Sequence, residues 1–120
     1  MTGREWIVDA YGCLPGALRD RARLDKLFQS LVDRLELHPV YPPQWHQFPE
    51  PGGYTGLVML SESHLACHTF PEHGSLCLNL FSCQPRPEFN YVFYLTREFG
   101  AESVRVRRME RPYDALPPAA

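Results

Sequence analysis

Between Tyr54 and Cys83 the chain reads YTGLVMLSESHLACHTFPEHGSLCLNLFSC, and this stretch decides the fold. Tyr54–Leu60, His64–Phe70 and Ser75–Cys83 are three short β-prone runs. The separators Ser61-Glu62-Ser63 and Glu72-His73-Gly74 are short enough for hairpin-like connections. Upstream lie a turn at Pro51-Gly52-Gly53 and a proline-broken extended segment reaching Phe48. Before it, Leu24, Leu27, Phe28, Leu31 and Leu35 recur at helical spacing and predict an amphipathic helix from Asp20, a candidate N-cap, to Leu37. His38-Pro39 ends it, because a residue preceding proline is pushed out of the α region. Glu5–Tyr11 alternates as a short strand.

Downstream of Cys83, the spacing of Phe89, Val92, Phe93, Thr96 and Phe99 predicts a second helix, with Pro87 in its first turn and Gly100 as its stop. Val104 and Val106 alternate with Arg105 and Arg107 in a last strand with one wet face. The expected string is β-α-β-β-β-β-α-β. That is an α+β, two-layer sandwich: a mostly antiparallel sheet with two helices packed on one face. A single domain is expected over residues 1–110, with a flexible tail over 111–120 that has too little apolar content to pack.

Composition narrows the function classes. The 120 residues are 44% hydrophobic and 22% charged, which suits one core and excludes bulk disorder. A net charge of −2 offers no strong basic field for nucleic acid or an anionic membrane surface. No apolar run approaches the ~20 residues of a membrane span. Met1–Trp6 lacks a signal-peptide layout, so a cytoplasmic protein with reduced thiols is expected.

Reactive side chains gather in one window: Glu62, Ser63, His64, Cys67, His68, Glu72, His73, Cys77 and Cys83. Period-2 alternation places Ser63, Leu65 and Cys67 on one face of the strand, with His64, Ala66 and His68 on the other. Three readings are open at this point. The side chains are packed and hydrogen-bonded strand residues, or they bind a metal, or Ser63 and His68 form a nucleophile pair. The His and Cys spacings match none of the usual zinc patterns, and no G-x-S-x-G elbow surrounds Ser63.

Glu62-Ser63-His64, His68-Thr69, Pro71-Glu72, Gly74 and Cys83 resemble the signature of the prokaryotic S-adenosylmethionine decarboxylase proenzymes. Asp9–Cys13, His46-Gln47-Phe48 and Tyr54-Thr55-Gly56 are similar to further segments of that family. The resemblance implies an inactive chain that cuts itself between Glu62 and Ser63, giving pieces 1–62 and 63–120. The Ser63 hydroxyl, within reach in a strained turn, would attack the preceding carbonyl. Elimination and hydrolysis would then leave a pyruvoyl group derived from Ser63, with no metal required. His68 matches the family's processing base, and an imidazole suits proton removal near neutrality.

The resemblance further implies that the pyruvoyl carbonyl forms a Schiff base with the substrate and accepts the electrons released with CO₂. Cys83 matches the catalytic proton donor, and Glu72 the acid that binds ribose hydroxyls. Phe48, Tyr54 and Phe70 offer aromatic surface for an adenosyl group and a sulfonium. A homodimer with residues of both chains at each site, and a place in spermidine biosynthesis, are implied too. Thr55, Phe70, Asn79 and Gln84 depart from the family's usual Ser, Trp, Asp and Gly. Those departures keep two alternatives open: a pyruvoyl-dependent decarboxylase of free L-ornithine or L-arginine, and an unprocessed homologue serving as a binding or regulatory subunit.

Overall fold

Short connections make consecutive strands antiparallel neighbours, and the computed structural model, which describes residues 2–116, shows this from the first hairpin onward. The elements are β1 (Thr2–Tyr11), α1 (Pro15–Leu18), α2 (Arg21–Arg34), β2 (Gln44–Gln47), β3 (Tyr54–Leu60), β4 (Ser63–Phe70), β5 (Ser75–Ser82), α3 (Tyr91–Phe99) and β6 (Ser103–Pro112). They form one six-stranded sheet in the order β2-β3-β4-β5-β1-β6, with every pairing antiparallel. The α+β sandwich expected from sequence is therefore the architecture observed.

Register sorts the side chains between the two faces. Val8, Ala10, Val58, Leu65, Leu76 and Leu80 point to the layer of Leu24, Leu27, Phe28, Leu31, Leu95 and Phe99, and together they make the core. A fully buried leucine contributes about 1.5–3 kcal/mol. Among the described residues no helix packs on the opposite face. There Leu57 and Met59 are exposed, and polar residues bond across strands. Arg111 pairs with Glu5 at 2.6 Å, Asn79 donates to Glu5 at 2.8 Å, and His64 Nε2 meets Asn79 Oδ1 at 2.9 Å.

Four expectations need correction. A third helix, α1, goes unseen in the sequence because four residues are too few to show a period. Helix α3 starts at Tyr91, not near Pro87, because the Asn90 side chain accepts from the Phe93 amide at 3.0 Å and caps it. Its buried face is Tyr91, Leu95 and Phe99, one turn apart each time, while Val92 and Phe93 face solvent. Gly100 does end the helix, in the left-handed conformation (φ 69°) that a glycine adopts without a Cβ clash.

The fourth concerns the end of the chain. Val104 packs on the core, but β6 is the sheet's edge strand and is exposed on both sides beyond it. Arg111 and Pro112, assigned to the tail, are paired with Gly3 and Thr2 in the sheet. The Tyr113 hydroxyl donates to the Cys83 carbonyl at 3.4 Å. The remainder of that expected tail, from residue 117 on, lies outside the described residues.

Candidate active site

The β3–β4 hairpin turns on two residues, Ser61 and Glu62, since Leu60 pairs with Ser63. Ser63 is the first residue of β4 and also lies opposite Ser82 of β5, which brings Cys83 to the same sheet end. The Cys83 amide donates to the Glu62 carbonyl at 3.2 Å. That carbonyl is the one a Ser63 hydroxyl would attack, and a backbone N–H on its oxygen stabilises charge developing there. The Ser63 Oγ is buried and has no hydrogen-bond partner among the described residues. A buried hydroxyl without a partner is uncommon and calls for an explanation.

Glu62 is itself tightly held. Its carboxylate faces Arg86 at 3.3 Å and accepts from the His38 amide at 3.2 Å. The His38 ring lies 3.3 Å away, and the Ser61 hydroxyl also donates to it. Burial works against its ionisation, but the bonds from Ser61 and His38 and the charge of Arg86 outweigh that and hold the carboxyl below its usual range. Sequence reading missed both Arg86 and His38. Their partner is 24 residues away in each direction, and neither lies at a recognisable spacing from it. None of Ser61, Glu62 and Ser63 has a positive φ.

The other predicted residues lie at the opposite end of β4. His68 is on the open face, where its Nδ1 is 3.1 Å from the Thr55 hydroxyl. Phe48, Phe70 and Glu72, with Pro49–Pro51, line an open cavity of about 360 Å³, large enough for a small ligand and mostly apolar. Gly53 also lines it and abuts the Thr69 carbonyl so closely that a Cβ would fall 2.3 Å from that oxygen. Glu72 is exposed and has no partner among the described residues. Tyr54 does not join this group. It points inward, buried, with its ring edge-on to Trp45 at 6.0 Å.

The expected strand parity holds, and it separates the candidate pair. Ser63 faces the helices and His68 faces away. They are five positions apart, roughly 16 Å along a strand rising about 3.3 Å per residue. Within one chain, Ser63 and His68 therefore do not form the nucleophile pair that sequence allows. The remaining thiols are set apart from this chemistry. Burial pushes Cys13 up to about 11 and raises Cys67, while burial and then Asp9 raise Cys77. Among the described residues no three His, Cys, Asp or Glu groups converge as a metal would require, and no helix is long and apolar enough to cross a membrane.

A sheet of this order with its helices on one face has a counterpart among solved structures. The adenosylmethionine decarboxylase from Aquifex aeolicus VF5 superposes with a TM-score of 0.75 over 98% of this chain and 97% of that one. At 22% identity this establishes the shared fold. Sequence carries the assignment further. The family described as S-adenosylmethionine decarboxylase matches residues 4–112. The S-adenosylmethionine decarboxylase proenzyme of Carboxydothermus hydrogenoformans is 34% identical over 112 residues, covering 91% of this chain and 85% of that protein. The proenzyme of that name from Moorella thermoacetica is 34% identical over 98% of this chain and 94% of its own length. The chain belongs to the S-adenosylmethionine decarboxylase family.

Proposed function

We propose that this protein is a self-processing, pyruvoyl-dependent S-adenosylmethionine decarboxylase serving polyamine synthesis in the cytoplasm. The observation that carries the reading is the junction itself. A buried, unpartnered Ser63 hydroxyl adjoins the Glu62 carbonyl, whose oxygen is already held by the Cys83 N–H.

In the processing step the Ser63 oxygen adds to the Glu62 carbonyl carbon while the Cys83 amide supports the oxyanion. The C–N bond then breaks and its nitrogen takes the proton, leaving an ester in place of the amide. Loss of the residue 63 α-proton to a base would expel the Glu62 carboxylate and leave a dehydroalanine, whose imine form takes up water and releases ammonia to give the pyruvoyl group at the head of the second piece. When present, that group supplies an electron sink for the bond broken on release of CO₂. Cys83, whose backbone N–H holds the Glu62 carbonyl, would be the proton donor to the substrate after CO₂ leaves. Glu72 accepts the two ribose hydroxyls, and Phe48 and Phe70 flank the adenosyl part across the cavity.

The separation of Ser63 and Cys83 from His68, Thr55 and Glu72 supports a shared site. A second copy, packed on the open sheet face that carries His68 and Thr55, would supply those residues to the Glu62–Ser63 junction of the first. The exposed Leu57 and Met59 on that face favour such cover. Intact-mass measurement of the purified protein is the test, together with CO₂ release from carboxyl-labelled S-adenosylmethionine. Two pieces divided between Glu62 and Ser63, with turnover of the nucleoside, are expected. An uncut chain, or turnover of ornithine or arginine alone, would overturn it.

A further inference from the structure

Two buried side-chain polar atoms have no hydrogen-bond partner among the described residues: Ser63 Oγ and Arg86 Nε. Both belong to the residues of one junction: Ser63 follows Glu62 directly, and Arg86 Nη2 is 3.3 Å from the Glu62 side-chain Oε1. The two side chains of this ion pair are only 12% and 8% exposed. A buried guanidinium with an unused N–H is costly unless something else takes that donor. The self-cleavage proposed above, on which this inference rests, creates such an acceptor.

We infer that Arg86 is a positioning residue for the elimination step, holding Glu62 while the α-carboxylate of that residue departs. In the ester, the Glu62 carbonyl carbon is bound to the Ser63 oxygen. A base removes the α-proton of residue 63, and the electrons of that C–H bond form the Cα=Cβ double bond. The Cβ–O bond breaks, and its electron pair stays on the oxygen as the new Glu62 α-carboxylate. A full negative charge thus develops on a residue whose side chain is already a buried carboxylate. His38 and Ser61 bind the side chain, and Cys83 binds the carbonyl oxygen. Arg86 brings the positive charge and the spare donor to that cluster, and its planar fork can span two carboxylates.

The test follows cleavage of the full chain by intact mass in Arg86→Met, Arg86→Gln and Arg86→Lys, with hydroxylamine as probe of the ester. Hydroxylamine cleaves an ester at 62–63 but leaves an amide intact. In Arg86→Met, spontaneous cleavage should slow by roughly 10²-fold while the full-length chain becomes cleavable by hydroxylamine. Arg86→Lys should recover part of the rate. Arg86→Gln keeps a donor and removes the charge, and it carries the same expectation should Arg86→Met not fold. Cleavage at the wild-type rate would overturn the inference. So would a hydroxylamine-resistant chain, which places the block before the ester, or an Arg86→Lys variant as slow as Arg86→Gln. In each case the wild-type chain still cuts, whereas an uncut wild-type chain fails the self-cleavage reading itself.

Discussion

At the Ser63 end of β4, groups of the same chain hold Glu62, while Ser63 Oγ and Arg86 Nε are left without a partner among the described residues. Glu62 is bound through its carboxylate by Ser61, His38 and Arg86 and through its carbonyl by Cys83. At the other end, five residues along, His68 meets Thr55, and Glu72 stands at the rim of an apolar cavity without a partner among the described residues. Under the proposed function, one end serves the reaction of the chain upon itself and the other receives the substrate. The contrast is one of position: the clamped Glu62–Ser63 junction lies at one end of β4, and His68, Glu72 and the apolar cavity lie at the other.

The largest effect tests that contrast directly. Ser63→Ala should remain a single uncut chain, and His68→Ala should stall at or before the ester. If the site is shared, co-expression of the two variants should restore cleavage in the chain that keeps Ser63, because its neighbour supplies His68. Cleavage between Glu62 and Ser63 in the mixed preparation, read by mass spectrometry, is the expected result. A mixed preparation as uncut as either parent, while the wild-type chain cuts, would return the site to a single chain.

Thiol chemistry sharpens the comparison from the other side. Burial holds Cys13 at about 11, a suppression of its thiolate by roughly two orders of magnitude relative to a free cysteine. Cys67 and Cys77 are raised by the same cause. Brief alkylation at neutral pH should therefore modify Cys83 first, as peptide mapping would show. Modification of Cys13 or Cys77 ahead of Cys83 would break the distinction between reactive and packed thiols.

At the receiving end the effect is smaller. Glu72→Gln retains the shape but loses the charged acceptor, and hydrogen bonds to charged groups contribute about 1.5–3 kcal/mol. KM for S-adenosylmethionine should rise roughly 10- to 100-fold, with cleavage and kcat little changed. Slowed cleavage in Glu72→Gln would mean that the two ends are not separable.

Much of this could be read from the residues, and what could not has physical causes. The apolar stripe of α2, the Asp20 cap and the Gly100 stop are local, and the structure keeps them, although α2 ends at Arg34 and not at the expected Leu37. Parity along β4 also gave the faces of Ser63 and His68 correctly. Parity alone does not reveal that no other strand returns His68 to Ser63, since that depends on sheet order. The face of α3 was misread because Phe89 packs against Tyr91 and Tyr94 ahead of the helix, so its ring does not belong to the helical stripe. The Glu62 clamp escaped because it joins three loops. His38 read only as a helix end, and Arg86 as one charge between two prolines.

The smallest effect concerns the middle of the open face, between the two ends. Asn79, where the family commonly has Asp, donates its amide to Glu5 and accepts from His64. A carboxylate could not donate to Glu5 in this way. The Asn79 bond is the main cause holding the Glu5 carboxyl below its usual range; burial opposes it, and the Arg111 bond and charge add to it. Because the folded value is depressed, the contribution to stability is complete above the ordinary glutamate range near ~4.3. It is lost as pH falls through the folded value. Arg111 is about half exposed, so the ion pair itself is worth about 0–1 kcal/mol. Thermal unfolding of the wild-type chain should therefore lose more Tm on acidification than that of Glu5→Gln, which has no proton to take up there. If a second chain covers this face, the gap should narrow on dilution, as protomers separate and water reaches Glu5. Parallel acid limbs for the two proteins at every concentration would remove the Glu5 network from the stability of this face.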